Sequence, residues 1–172
     1  MLDNKELEKL FNSLRMGNID AFEKIYNEMK VPVYTVILRI VNNKELAEEI
    51  LQEVFIKLYK NPPDSDIKNI RAWVFAVAHN LSIDVLRREL KKNDTEKQYC
   101  NEQYYDESIY DISEALNSLK DVEKIIIIYH INADLKFTEI SEILNIPLGT
   151  VLWRYYNAID KLKKYFQEKN DD

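Results

Sequence analysis

Residues 138–166, TEISEILNIPLGTVLWRYYNAIDKLKKYF, leave the chain few ways to fold. Ile140, Ile143 and Leu144 form an apolar stripe at helical spacing, with Thr138 placed to cap it and Glu139 suited to its positive end. Asn145 falls where the chain must turn, and Asn tolerates the left-handed conformation better than most side chains. Pro147 and Thr150 open a second helix, because proline fits a first turn and breaks an interior. Val151, Tyr155, Ala158 and Leu162 then recur on one inward face. A short helix, a sharp corner and a longer helix ending in Lys161, Lys163 and Lys164 read as a helix-turn-helix, whose second helix enters a major groove. An ordinary helical hairpin fits the same pattern.

Punctuation elsewhere is sparse. With two Gly and four Pro in 172 residues, and Leu, Ile, Glu, Lys and Tyr abundant, the expected class is all-α. The net charge of -6 speaks against nucleic acid only on average. Residues 1–92 hold 15 Lys and Arg against 14 Asp and Glu, whereas 93–111 hold six acids against Lys97 alone. That second stretch, with scattered Tyr and no stripe, reads as an acidic linker between two small helical domains, 1–92 and 112–172. Cys100 has no partner for a disulfide or a metal site, and His79 and His130 lie far apart, so no metal and no cofactor is expected. No glycine-rich phosphate loop or nucleophile–base set occurs, so no catalytic residue is expected either. No apolar run is long enough to span a bilayer and Met1–Gly17 is too charged for a signal peptide. The expectation is a cytoplasmic protein without membrane insertion.

In the first domain, Asn4–Met16 is expected as a helix with Leu7, Leu10, Phe11 and Leu14 inward, ended by Gly17. Asp20–Met29 follows with Phe22, Ile25 and Tyr26 inward, and Pro32 breaks or kinks the chain into Val33–Val41. Asn42, Asn43 and Glu45 resemble a capping box for a helix over 44–60, whose outer face carries Glu45, Glu48, Glu49, Gln52 and Glu53. Such a run is usually a solvated face, yet it suits a basic partner as well. After the polar stretch Asn61–Asn69, a long helix over 70–92 is expected to bury Trp73, Val77, Leu81 and Val85. It projects Asn80, Asp84, Arg87, Arg88, Lys91 and Lys92 from other faces, which makes a basic end.

Four stretches in this order resemble the bacterial RNA polymerase sigma factors of the small extracytoplasmic-function type. They are Asp20–Tyr34, Ala47–Phe55, Ala72–Arg88 and Glu139–Val151. The resemblance implies an alternative sigma factor that binds core RNA polymerase and directs promoter-specific initiation. A sigma-like regulator or adaptor that docks without choosing promoters is the alternative. By the resemblance, Glu48, Glu49, Gln52 and Glu53 would face the polymerase. Asn80, Asp84, Arg87, Arg88 and Lys91 would lie at the minus-ten DNA, where arginines neutralise phosphates. Thr150, Leu152, Trp153, Arg154 and Tyr156 would lie at the minus-thirty-five DNA. Promoter DNA and core polymerase are the implied partners, with an anti-sigma protein as a further candidate.

One stretch departs from the family. After Thr150-Val151 the family continues with basic and small polar residues, and here Leu152-Trp153-Arg154 stands, with Asn157, Ile159 and Asp160 beyond. Leu152, Tyr156 and Ile159 share a face beside Trp153, so the groove-facing surface is expected to be apolar. Apolar contacts to thymine methyls, a covering protein partner, and a weakened reader remain three explanations. A protein contact is favoured in the resting state, because Trp is a frequent interface anchor.

Overall fold

The computed structural model describes residues 2–67, 69–92, 115–116 and 118–170, with the side chains of residues 90–92, 169 and 170 outside that description. The expected linker, 93–111, lies outside the described residues. Among those described, the fold is all-α, with seven helices and no strand. Contacts divide the chain into two compact units, 1–99 and 100–172.

The first unit is a four-helix cluster. Helix α1, Asn4–Arg15, opens on a capping box in which Asp3 accepts from the Glu6 N–H at 2.8 Å while the Asp3 N–H donates to Glu6 at 2.9 Å. Gly17 turns the chain at φ 87°. Asn18 then caps α2, Ile19–Val41, accepting from the Asp20 N–H at 3.0 Å. The chain does not restart at Pro32, the first of the two outcomes expected there. The helix runs through it for 23 residues, burying Met29 and Val33 on either side and packing against α1, α3 and α4. That burial outweighs one missing backbone donor. Tyr26 is also not inward: it is exposed, edge-on to Phe55 at 4.8 Å, with the Lys30 ammonium 5.3 Å from its ring centre.

Helix α2 ends on left-handed Asn42, and Asn43 caps α3, Lys44–Lys60, by accepting from the Leu46 N–H at 3.0 Å. Glu45 stands one position too early to close the expected capping box. Helix α4, Ile70–Lys92, has the expected span and a different register. Its buried line is Ile70, Val74, Phe75, Ala78 and Ser82, and the expected core residues Trp73, Val77, Leu81 and Val85 are half-buried. Small Ala78 and Ser82 let the helix lie close to its neighbours, and the Ser82 hydroxyl satisfies itself on the Ala78 carbonyl at 2.8 Å. The start of α4 is tied to the beginning of the chain. The Asn4 side chain accepts from the Ile70 and Arg71 N–H groups at 3.1 and 3.4 Å, and the buried Arg71 guanidinium donates to the Leu2 carbonyl.

In the second unit, α5, Asp121–Ile131, is apolar around most of its surface and buries Ile126, Ile127, Ile128 and Tyr129. Helix α6, Phe137–Leu144, is followed by α7, Leu148–Asn170. Lys136, not Thr138, holds the cap position of α6, and its N–H donates to Glu139 at 2.8 Å. Asn145 adopts the expected left-handed corner at φ 51°. Leu119, Ile127 and Ala158 form a buried cluster with Leu116, Tyr155, Ile159 and Leu162 against it.

Candidate functional site

Helix α3 turns one line inward, Ala47, Ile50, Val54, Phe55 and Leu58, which leaves Glu45, Glu48, Glu49, Gln52 and Glu53 all exposed. The outward face continues beyond the acids into Ile56 and Tyr59, 52% and 48% exposed. Sequence reasoning missed this apolar extension, although helical spacing from Gln52 points to it. Burial, and then the nearby Glu48 charge, raise the pKa of the Tyr34 hydroxyl on α2.

At the far end of α4, Asn80, Asp84, Arg87 and Arg88 are exposed as expected, and the Lys91 side chain lies outside the described residues. Arg87 pairs with Asp84 at 3.6 Å across open solvent, a contact of little energetic weight that phosphate could displace. The Arg88 Nε donates to the Asp84 carbonyl at 3.3 Å. Burial lowers the pKa of His79, so its ring is neutral at physiological pH and adds no cation here. A cleft of about 220 Å³ between α3 and α4 is lined by Leu46, Glu49, Ile50, Glu53, Val85, Arg88 and Glu89. Glu49 and Glu53 of the acidic face and Arg88 of the basic end, separate in sequence, therefore meet along one groove.

In the second unit, Trp153 and Tyr156 stand outward at 64% and 63% exposure, while Thr150, Leu152 and Arg154 are half-buried. Ile159, expected on that face, packs into the core, and Leu152 is partly withdrawn. The Arg154 Nε is buried without a hydrogen-bond partner. Tyr155 turns inward against Phe137 at 4.8 Å and His130 at 5.1 Å.

Behind α7 lies a group that nothing in the residue pattern singles out. Glu123 on α5 is 1% exposed and still charged. Its carboxylate accepts from the Asn157 amide at 2.8 Å, from the Lys161 ammonium at 3.1 and 2.9 Å, and from the Lys120 N–H at 3.1 Å. Burial pushes its pKa up. The bonds from Lys161, Lys120 and Asn157, with the Lys161 charge, outweigh that and hold it below the usual carboxylate range. Among the described residues no group of His, Cys, Asp and Glu could hold a metal ion, and no helix is long and apolar enough to cross a membrane.

The sequence profile of sigma-70 region 2 matches residues 25–92, the span from α2 to the end of α4. An ECF RNA polymerase sigma factor of Bacillus subtilis, SigW, is 28% identical over 94% of this chain and 97% of its own length. SigK of Mycolicibacterium vanbaalenii, also an ECF RNA polymerase sigma factor, is 22% identical over 92% and 88%. The chain carries a sigma-70 region 2 and is similar over nearly its whole length to extracytoplasmic-function sigma factors. It is an alternative sigma factor, a protein of transcription initiation. Two solved structures share its fold at a TM-score of 0.66 each. CnrH, solved with the cytosolic domain of CnrY, is 17% identical, with 95% of this chain and 98% of that one covered. The sigma factor RpoE of Bartonella quintana, solved with the anti-sigma factor NepR, is 19% identical over 85% and 96%.

Proposed function

We propose that the two units of this sigma factor divide its work, the first holding core RNA polymerase and minus-ten DNA and the second holding minus-thirty-five DNA. The observation that carries this reading is the groove between α3 and α4, where exposed Glu49 and Glu53 stand beside Arg88. An acidic face beside a basic end suits a basic protein surface on one side and phosphates on the other. Glu48, Glu49, Gln52 and Glu53 form the polymerase contact in this reading. Asn80, Asp84, Arg87, Arg88 and Lys91 form the minus-ten contact. Thr150, Leu152, Trp153, Arg154 and Tyr156 form the minus-thirty-five contact. Residues 93–111 connect the two. The protein works in the cytoplasm and has no catalysis of its own. An anti-sigma protein is a third partner, in keeping with the complex of RpoE with the anti-sigma factor NepR.

The test is in-vitro transcription with core enzyme and a genomic promoter pool, mapping transcripts with and without the protein. New start sites that depend on the protein are expected. Their absence across a range of salt concentrations would sink the division of labour and leave the adaptor alternative standing.

A further inference from the structure

We propose that α7 reads promoter DNA through the methyl groups of thymine, with Trp153 and Tyr156 as the specificity-determining side chains. This rests on reading the second unit as a DNA-binding helix-turn-helix, in which the early turns of the second helix meet base edges. Those turns carry Thr150 and Arg154, both half-buried, and several of the polar side chains beyond them are engaged elsewhere. Asn, the usual partner of adenine, is present as Asn157, and its amide is spent on buried Glu123 at 2.8 Å. Lys161 is spent on the same carboxylate at 2.9 Å, and Lys164 pairs with Asp160 at 3.0 Å. What α7 turns outward instead is two aromatic rings.

Tyr156 is also held in place. Tyr156 sits edge-on to Tyr155 at 5.5 Å, and Tyr155 rests edge-on to both Phe137 and His130. His130 in turn stacks on Phe137 at 4.2 Å and has its Nδ1 2.9 Å from the Leu135 carbonyl oxygen. A ring propped through three others loses little freedom on binding, which is the economy of a preorganised contact. In the major groove the one apolar feature of the base edges is the thymine C5 methyl, so rings of this kind select A·T pairs. A protein partner seated on Trp153 is the competing occupant.

Holoenzyme assembled from the full chain and core polymerase would first select duplexes from a random-sequence pool. The selected upstream element would then be resynthesised with deoxyuridine in place of thymidine, one position at a time. Each contacted methyl that is removed should weaken binding about four-fold, the free energy of burying one methyl-sized group read as an affinity ratio. Holoenzyme carrying Trp153→Ala and Tyr156→Ala should bind the thymine and uracil duplexes alike. Both sites are exposed, so the fold should survive, and the uracil series on the unaltered protein needs no variant. Uracil duplexes that bind as well as thymine ones, or selected elements without thymine, overturn the methyl readout and leave the sigma reading intact. Retention of no duplex at all overturns both.

Discussion

Replacing Glu123 by Gln should lower the melting temperature of the second unit by roughly 8 to 16 °C at neutral pH. Glutamine keeps the shape and one accepting oxygen, but it turns the other oxygen into an amide donor and removes the charge opposite Lys161. The side chain thereby loses a charge-assisted bond worth about 1.5–3 kcal/mol. The Lys161 side chain is 35% exposed and can turn to water, which keeps the cost below the 3–5 kcal/mol or so of stranding a fully buried partner. A value of about 2 kcal/mol gives the stated shift for a domain of this size. The same network predicts an acid response. A carboxyl whose folded pKa is depressed binds more protons in the unfolded state, so its stabilisation is complete above about pH 4.3 and is lost as pH falls through the folded value. Scanning calorimetry of the full chain at several pH values, with the two transitions resolved, reads both effects. Identical melting at pH 7, or an unchanged acid response in the variant, would refute the argument that Glu123 is a charged clamp.

Changing Glu49, Gln52 and Glu53 together to Lys should abolish binding to core polymerase while shifting the first unit's melt little, since all three are exposed; unchanged affinity in a pull-down with core enzyme would return them to an ordinary solvated face. Asn4→Ala should destabilise the first unit by about 1–2 kcal/mol, because the Ile70 and Arg71 N–H groups lose their acceptor. Urea melts followed by helical circular dichroism would detect it, and a melt like the parent's would mean that water replaces the cap.

Where punctuation was local, the sequence could be read closely. Asn43 and the polar stretch that starts at Asn61 bracket α3 within a residue, and Asn145 marks the corner before α7 as expected. Local misses were of one or two positions, as at the caps of α3 and α6; the larger failures share a cause, which is that the deciding contact lies far away in the chain. Pro32 signals a break by its own chemistry, but three neighbouring helices hold α2 together across it. On α4 the large residues Trp73, Val77, Leu81 and Val85 make the more conspicuous stripe. The buried line instead runs through Ala78 and Ser82, whose small size matters only once other helices approach. Glu123 looks like a solvent-facing acid at the edge of an apolar run, because its partners Asn157 and Lys161 come 34 and 38 residues later. Of the candidate site, exposure was legible on α3 and at the end of α4. The meeting of Glu49, Glu53 and Arg88 in one groove was not, since it depends on how α3 and α4 pack.

The unbroken run of α4 from its Asn4-capped start to its arginines also makes it a ruler. Arg88 lies 18 residues along from Ile70, about 27 Å at the helical rise, or close to eight steps of a stacked duplex. Anything held at the start of α4 and anything held by the arginines would be kept at that spacing. Lengthening α4 by one turn of Ala would move the far grip out by about 5.4 Å and keep nearly the same face forward. Inserting two residues would move it less and rotate it to the wrong side of the helix. A protein that used α4 as a gauge would therefore feel the shorter insertion more than the longer one.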